Sequence, residues 1–450
     1  MGETKPFQLI FVAVCVVLTI AGVFIFSFAG PKQKPGQNYG PKAVVWGTED
    51  EEKFNDLITL AERKGANIHA TYVQKDEATF GQDLLEALAI GKGPDVILIP
   101  VEDMLTYQDK VYSIPFDALS ESDFRATFIE EGELYRTDKG YSALPFSVDP
   151  LVMYWNRDFF TNHNMTLPPS KWSSVVSLVP EMRDVSEDLT VFEAVISLGD
   201  YRNVNNAKAI LATLMLQSGT DITSLGYQPS EKKLFLTSHL TQSASGSVLT
   251  PAVAALNFYT QFADPLTKQY TWNRSLPTSL DMFASDDLAM YVGFGSELDL
   301  IRSKNPNLNF DMALLPQSDA SPTPVTYGKM KGLAILSSSK NKTGAFYSIT
   351  ALTDPIFAKM YTDATKLAPV RRDLLATPPG DAHSSILYRS AIYSRGFLDP
   401  QPAKTDTIFR TMVESVLSGR SSSGEALGIG ENQFRLLVGE FNAKQIRDEK

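Results

Sequence analysis

The stretch Asp95-Val96-Ile97-Leu98-Ile99 follows Gly93-Pro94 and has no polar residue after its aspartate. A strand that is apolar at every position must be covered on both faces. Parallel sheets flanked by helices provide that environment. The neighbouring sequence supplies the helices. Ala43-Val44-Val45-Trp46 reads as a short strand ended by Gly47. Residues 49–64 have helical spacing through Phe54, Leu57, Ile58 and Ala61. Residues 67–73 alternate like a strand, and residues 80–90 place Leu84, Leu85 and Leu88 on one side of a helix. This order of strands and helices predicts an α/β lobe.

A chain of 450 residues is too long for one core, so a second lobe is expected. The pattern supports it. Leu144-Pro145-Phe146-Ser147-Val148-Asp149-Pro150 reads as a crossing between lobes, and residues 151–156 as the next strand. A long helical region is expected after that, with residues 206–217 and 251–262 as its clearest helices. Ala289-Met290-Tyr291-Val292-Gly293, residues 310–315 and residues 332–336 read as strands. Residues 343–352 and 355–361 read as helices, as does most of the C-terminal third, ending with residues 431–438.

Composition removes several functions. A net charge of −11 repels phosphate backbones, so no nucleic-acid partner is expected. The single cysteine, Cys15, leaves the rest of the chain without disulfides, thiol nucleophiles or cysteine metal sites. His69, His163, His239 and His383 show no metal-ligand spacing. There is no G-x-S-x-G elbow and no phosphate loop. No metal, no cofactor and no enzymatic activity are expected.

Residues 7–29 are apolar apart from Gln8, Thr19 and Ser27, long enough to cross a hydrocarbon core of about 30 Å as a helix. An uncleaved transmembrane anchor is the first reading. Cleavage after Ala29, with Ser27 and Ala29 as small residues, and lipidation of Cys15 stay open. Lys5 precedes the run and Lys32, Lys34 and Lys42 follow it, so charge does not favour an outside body. Residues 31–41, rich in Pro, Gly, Gln and Lys, read as a flexible tether.

Several segments come in an order that resembles extracellular solute-binding proteins of the maltose-binding protein type. Val44-Val45-Trp46-Gly47 looks like that family's opening strand, and Gly91-Lys92-Gly93-Pro94-Asp95-Val96-Ile97 resembles a later strand entry. Ala143 to Asp149 followed by Tyr154-Trp155-Asn156-Arg157-Asp158-Phe159-Phe160 resembles its crossover block. Pro168-Pro169-Ser170-Lys171-Trp172, Met215-Leu216-Gln217-Ser218-Gly219, residues 283–293, and Ser418-Gly419-Arg420 with Glu425-Ala426-Leu427 continue the series. The resemblance spans roughly residues 44–440 and implies an α/β, two-lobed periplasmic-binding-protein-like fold of class II, here preceded by the transmembrane helix. The expected division is a tail at 1–6, an anchor at 7–29, a linker at 30–42, lobe 1 at 43–148 with 332–368, and lobe 2 at 149–331 with 369–445. The resemblance also implies a small-molecule ligand, a sugar above all, hinge closure around it, and delivery to the permease subunits of an ABC importer from the extracytoplasmic side of a bacterial membrane. A sensor or adhesin anchored on the same fold is the alternative.

In open α/β sheets ligands bind beyond the carboxyl ends of the strands. That rule selects Trp46 for stacking, against the alternative of a packed indole. It also selects Glu49, although two of Glu49, Asp50 and Glu51 are better explained as acidic residues at a helix N-terminus. Glu102 and Asp103 follow the buried strand. The maltodextrin binders have Asp-Arg there, a Trp where this chain has Ile99, and a lysine near Glu51, so maltodextrin itself is doubtful as the ligand. The rule also selects Ser147 and Asp149 in the crossover, with Asp149 favoured as a ligand contact, against the alternative of turn chemistry. Phe294, flanked by Gly293 and Gly295, and Ser296 follow a strand of lobe 2, with Phe294 the best stacking candidate. Tyr327 and Lys331 surround a later crossing. Arg371 either faces the cleft or forms a surface ion pair. A retained anchor predicts that the mature protein keeps its N-terminus. Mass measurement of the native chain checks this, and a species starting at Gly30 would replace the anchor with a cleaved leader.

Overall fold

The computed structural model describes residues 41–228, 233–242, 250–319 and 323–447. The apolar run at 7–29, with Cys15, lies outside the described residues. Among those described, no helix is long and apolar enough to cross a membrane.

Fifteen strands are present among the described residues. The first three are β1 (Ala43–Gly47), β2 (Ala70–Gln74) and β3 (Val96–Pro100), and β1 pairs in parallel with both of the others. Asp95 locks their start. Its carboxylate accepts from the Val44 N–H at 3.0 Å and from the Ser339 hydroxyl at 2.5 Å, while its own N–H donates to Val44 O. The apolar β3 is buried through Ile99. Helix Glu51–Arg63 packs on β2 and helix Lys342–Leu352 on β1 of the same sheet, with helix Pro355–Thr365 packed on the first of them.

β4 (Ile114–Pro115) and β5 (Gly140–Tyr141) form a short ribbon that brackets residues 116–139. Next comes β6, which runs without a break from Leu144 to Asn156. The segment expected as a crossing between lobes is therefore part of a thirteen-residue strand. Its first half pairs with β13 (Thr326–Ile335) and β14 (Ala368–Pro369). Its second half pairs with β11 (Leu288–Phe294) and β12 (Phe310–Ala313). β13 is likewise longer than residues 332–336, and its N-terminal end pairs with β15 (Ser394–Arg395). The result is one eleven-stranded mixed sheet in the order β2-β1-β3-β13-β6-β11-β8-β7, with β12, β14 and β15 attached beside it.

The long helical region expected after residue 156 is corrected. Helices Arg157–Asn162 and Trp172–Met182 are followed by β7 (Asp184–Val185) and β8 (Val191–Ile196). Val191, Ala194, Val195 and Ile196 are buried, and β8 lies parallel to β11. A hairpin of β9 (Thr223–Gln228) and β10 (Lys233–Ser238) was also not anticipated. Helices Ala207–Gln217, Pro251–Thr260, Pro402–Leu417 and Ser423–Arg447 complete the second half.

Each half has its own aromatic core. Phe54 stacks on Tyr72 at 4.1 Å between ring centroids and packs with Phe146, Phe357 and Tyr361. In the other half Tyr154, Phe283, Tyr291 and Phe310 pack together. The ribbon ahead of β6 needs a residue without a side chain. A Cβ at Gly140 would lie 1.8 Å from the Ile114 carbonyl oxygen, a backbone atom that cannot rotate away. Gly140→Ala is therefore expected to destabilise the body by at least about 2 kcal/mol. Denaturant titration checks it; an unchanged midpoint would show that the ribbon is not tightly held.

Candidate functional site

β13 organises three clusters of polar side chains. Tyr327, Lys329 and Lys331 alternate along it, and each reaches a different group. Lys331 forms an ion pair with Glu49. Asp50 caps the helix Glu51–Arg63 by accepting from the Lys53 N–H at 2.8 Å, and Glu51 sits in its first turn. These two acids have the helix-terminal role, which leaves Glu49 to the cluster. The Glu49 N–H donates to the Tyr72 hydroxyl at 2.8 Å. Trp46 is partly exposed, with Lys75 Nζ 4.0 Å from its ring centroid.

The second cluster lies beyond β3. The Tyr327 hydroxyl donates to Glu102 at 2.5 Å. Asp103 stands beside Glu102 and near Lys208, whose ammonium is held by the buried Asp399 at 2.6 Å. Burial, reinforced by Glu102, pushes the Asp103 carboxyl up to about 6.

The third cluster surrounds the centre of β6. Asp149 accepts from the Ser296 N–H at 3.1 Å, and it is directly opposite Lys329 in the ladder. Desolvation raises the Asp149 carboxyl to about 6 against the opposing effect of that hydrogen bond. Ser147 is buried, and its hydroxyl makes no hydrogen bond.

Two expectations need correction. Phe294 is only 2% exposed, and Lys329 Nζ lies 3.9 Å from its ring centroid, so the face expected to stack on a ligand is already covered. The flanking glycines serve internal packing: a Cβ at Gly295 would strike Leu387, and one at Gly293 would strike Tyr291 and Glu297. Arg371 takes the ion-pair alternative. It binds Asp373 at 2.8 Å and the Thr353 carbonyl at 3.1 Å, apart from the three clusters.

A cavity of about 770 Å³ lies elsewhere. Segment 116–138, ahead of the first crossing, forms one wall. Leu216, residues 221–225, Leu234, Val325 and residues 395–398 form the other. None of the residues selected from sequence lines it. Glu131 connects it to the second cluster. This side chain is 2% exposed, and both carboxyl oxygens lack a hydrogen-bond partner. They pack against the backbone of Gly328 and Gly396, with the Ser394 hydroxyl beside them. Burial pushes the Glu131 carboxyl up to about 8, which Arg395 opposes and Glu102 reinforces. Sequence reading missed Glu131, Lys208, Lys329, Arg395 and Asp399. Only Lys329 had a signal, its alternation with Tyr327 and Lys331.

The pH dependence follows from Glu131. Its carboxyl has an ordinary value of 4.5 and a folded value of about 8. Between the two, the folded chain holds a proton that the unfolded chain has lost. Stability is therefore fully present below about 4.5 and falls as pH rises toward 8. The loss is up to a few kcal/mol, because each tenfold change in proton affinity is worth roughly 1.4 kcal/mol. Glu131→Gln should flatten that fall. Melting curves from mildly acidic to mildly alkaline buffer test it, and equal slopes for the variant and the parent would refute the buried, protonated acid.

The architecture agrees with comparisons to known proteins. The sequence pattern described as "Bacterial extracellular solute-binding protein" matches residues 52–385. No curated protein sequence matches the chain. Among solved structures, the sugar-binding protein MalE of Xanthomonas citri has a TM-score of 0.70 at 15% identity, covering 90% of this chain and 99% of that one. A cyclo/maltodextrin-binding protein complexed with maltotetraose has a TM-score of 0.68 at 15% identity, covering 90% and 98%. The GacH receptor of Streptomyces glaucescens, solved unliganded and with acarbose, has a TM-score of 0.64 at 16% identity, covering 88% and 98%. At these identities the likeness is one of fold, and the family follows from the sequence pattern: this chain belongs to the bacterial extracellular solute-binding proteins.

Proposed function

We propose that this protein captures a small polar solute, a carbohydrate above all, between its two lobes and delivers it to the permease subunits of an ABC importer. The observation that carries this reading is the cavity of about 770 Å³ between segment 116–138 and the walls around Val325 and residues 395–398. Its volume is within the usual range for small-molecule sites, roughly 300–1,000 Å³. Its walls come from segments on either side of the strand crossings, so a change in the angle between lobes would change its width. Residues 7–29 would hold the body at the extracytoplasmic face of the membrane. The sugar-binding and acarbose-binding relatives support a carbohydrate. The clusters around Glu49, Glu102, Asp103, Tyr327 and Lys331 would line the approach between the lobes, and a role in binding rather than turnover fits them.

Ligand binding to the folded state alone raises its stability by RT ln(1 + [L]/Kd), about 2.7 kcal/mol at a hundredfold excess over Kd. Thermal denaturation against a panel of oligosaccharides, polyols, amino acids and peptides should give a concentration-dependent rise in Tm for one class. Leu225→Trp, which fills the cavity from its partly buried wall, should weaken that rise by at least about tenfold. Silence across the whole panel would remove the capture role.

A further inference from the structure

The half built on β1–β3 meets the other half through acids. The stretch after β3 and the segment between β4 and β5 carry Glu102, Asp103, Asp109, Glu130 and Glu131. Each faces a group of the second half. Glu102 accepts from the Tyr327 hydroxyl, and the Tyr327 N–H donates to Thr213 of helix Ala207–Gln217. Asp103 lies near Lys208 of that helix and near the buried Asp399. Asp109 pairs with Lys444 of the C-terminal helix at 3.7 Å, and Glu130 with Arg395 of β15 at 2.5 Å. Glu131 rests against Gly328 of β13 and against Ser394 and Gly396 at β15.

The charges across this join do not balance. Asp109 is matched by Lys110 at 2.7 Å as well as by Lys444, and Glu130 by Arg395. Glu102, Asp103 and Glu131 are left over. Around Asp103 stand Glu102 and Glu77 from the first half, and Asp399 and Lys208 from the second. Lys208 is already bonded to Asp399 at 2.6 Å. Around Glu131 stand Glu102 and Arg395, which Glu130 already holds, with the hydroxyls of Ser394, Tyr135 and Tyr327 nearby. Glu102 thus links Asp103 and Glu131 into one cluster in which carboxyl groups outnumber cations. Like charges removed from water do not all ionise, and an unpaired carboxylate between packed surfaces is strongly disfavoured. Separating the halves would let water reach these groups and lift that penalty. Burial accordingly raises Asp103 from 3.8 to about 6, with Glu102 reinforcing it, and Glu131 from 4.5 to about 8.

We infer that closure of the two halves takes up protons, with Asp103 and Glu131 as the groups that bind them, so that mildly acidic surroundings hold the empty protein closed and alkaline ones open it. A proton held more tightly in the closed form favours that form, and the advantage disappears as pH rises through the raised values, about 6 for Asp103 and about 8 for Glu131. The inference rests on the lobe closure of the proposed capture function and adds a control on it that needs no solute.

Spin labels at Leu85→Cys and Leu436→Cys, exposed positions on helices Phe80–Ala89 and Ser423–Arg447, report the separation of the halves. The full chain carries Cys15→Ser, is kept in detergent and is given no solute. Pulsed electron resonance reads the distance distribution at about pH 5.5 and about pH 8.5. The ratio of short to long distances is expected to fall at least about tenfold over that interval. The Asp103→Asn/Glu131→Gln variant, neutral at every pH, is expected to keep the short distance throughout. A parent distribution that ignores pH, or that shortens as pH rises, overturns the inference. A pH response that the double variant leaves intact overturns the assignment to this cluster. Should the double variant not fold, Asp103→Asn alone decides: a weakened response upholds the inference and an unchanged one overturns it. None of these failures bears on solute capture, which the thermal panel tests separately.

Discussion

β6 exchanges ladder hydrogen bonds with β13 and β14 along its first half and with β11 and β12 along its second. Backbone groups buried in a protein must be paired, and this strand pairs them across both halves of the molecule. It also places side chains in both cores. Phe146 packs on Tyr361 at 4.5 Å between centroids, and Tyr154 packs near Tyr291 at 6.0 Å. A slip of one residue would turn both rings out of their cores. The register of this one strand therefore ties together two hydrophobic cores, the position of Asp149 between them, and the entry of the segment that forms one wall of the cavity.

The neighbouring strand β13 brings charge to the same crossing. Tyr327, Lys329 and Lys331 meet Glu102, Phe294 and Glu49 respectively. Two of these contacts reach from the crossing strand to loops of the first half, beyond β3 and β1. Such contacts hold the loops in place and contribute little net stability when partly exposed. Acids outside this pattern behave differently. Asp103, Asp149 and Glu131 all lose solvent without full compensation, and all three hold their protons more strongly than ordinary carboxyls. Concentrations of perturbed acids of this kind are characteristic of binding sites.

The local patterns read from the sequence survive where the signal is local. The β3 strand after Gly93-Pro94, the helix containing Phe54 and Ile58, and the helix containing Ile210 and Leu214 lie where periodicity places them. β8 was missed because Phe192 and Glu193 are exposed while Val191 and Ala194 are buried, which breaks strict alternation. The β9–β10 hairpin was missed because its strands pair mainly with each other and carry a mixed polar pattern. Phe294 illustrates the limit for sites. Two flanking glycines suggested room for a ligand, yet Leu387, from a helix almost a hundred positions away, occupies the space over Gly295.

The α/β class, the two-lobed plan and the strand–helix order of the first half were determined by the sequence alone, because hydrophobic period and turn residues act over a few neighbouring positions. The tertiary structure decided which carboxylates stand without a cation and where the cavity opens. Glu131, Lys208, Arg395 and Asp399 are scattered along the chain with no spacing that marks them. Burial and charge pairing depend on what distant segments place beside a residue, and that appears only when the strand crossings have brought those segments together.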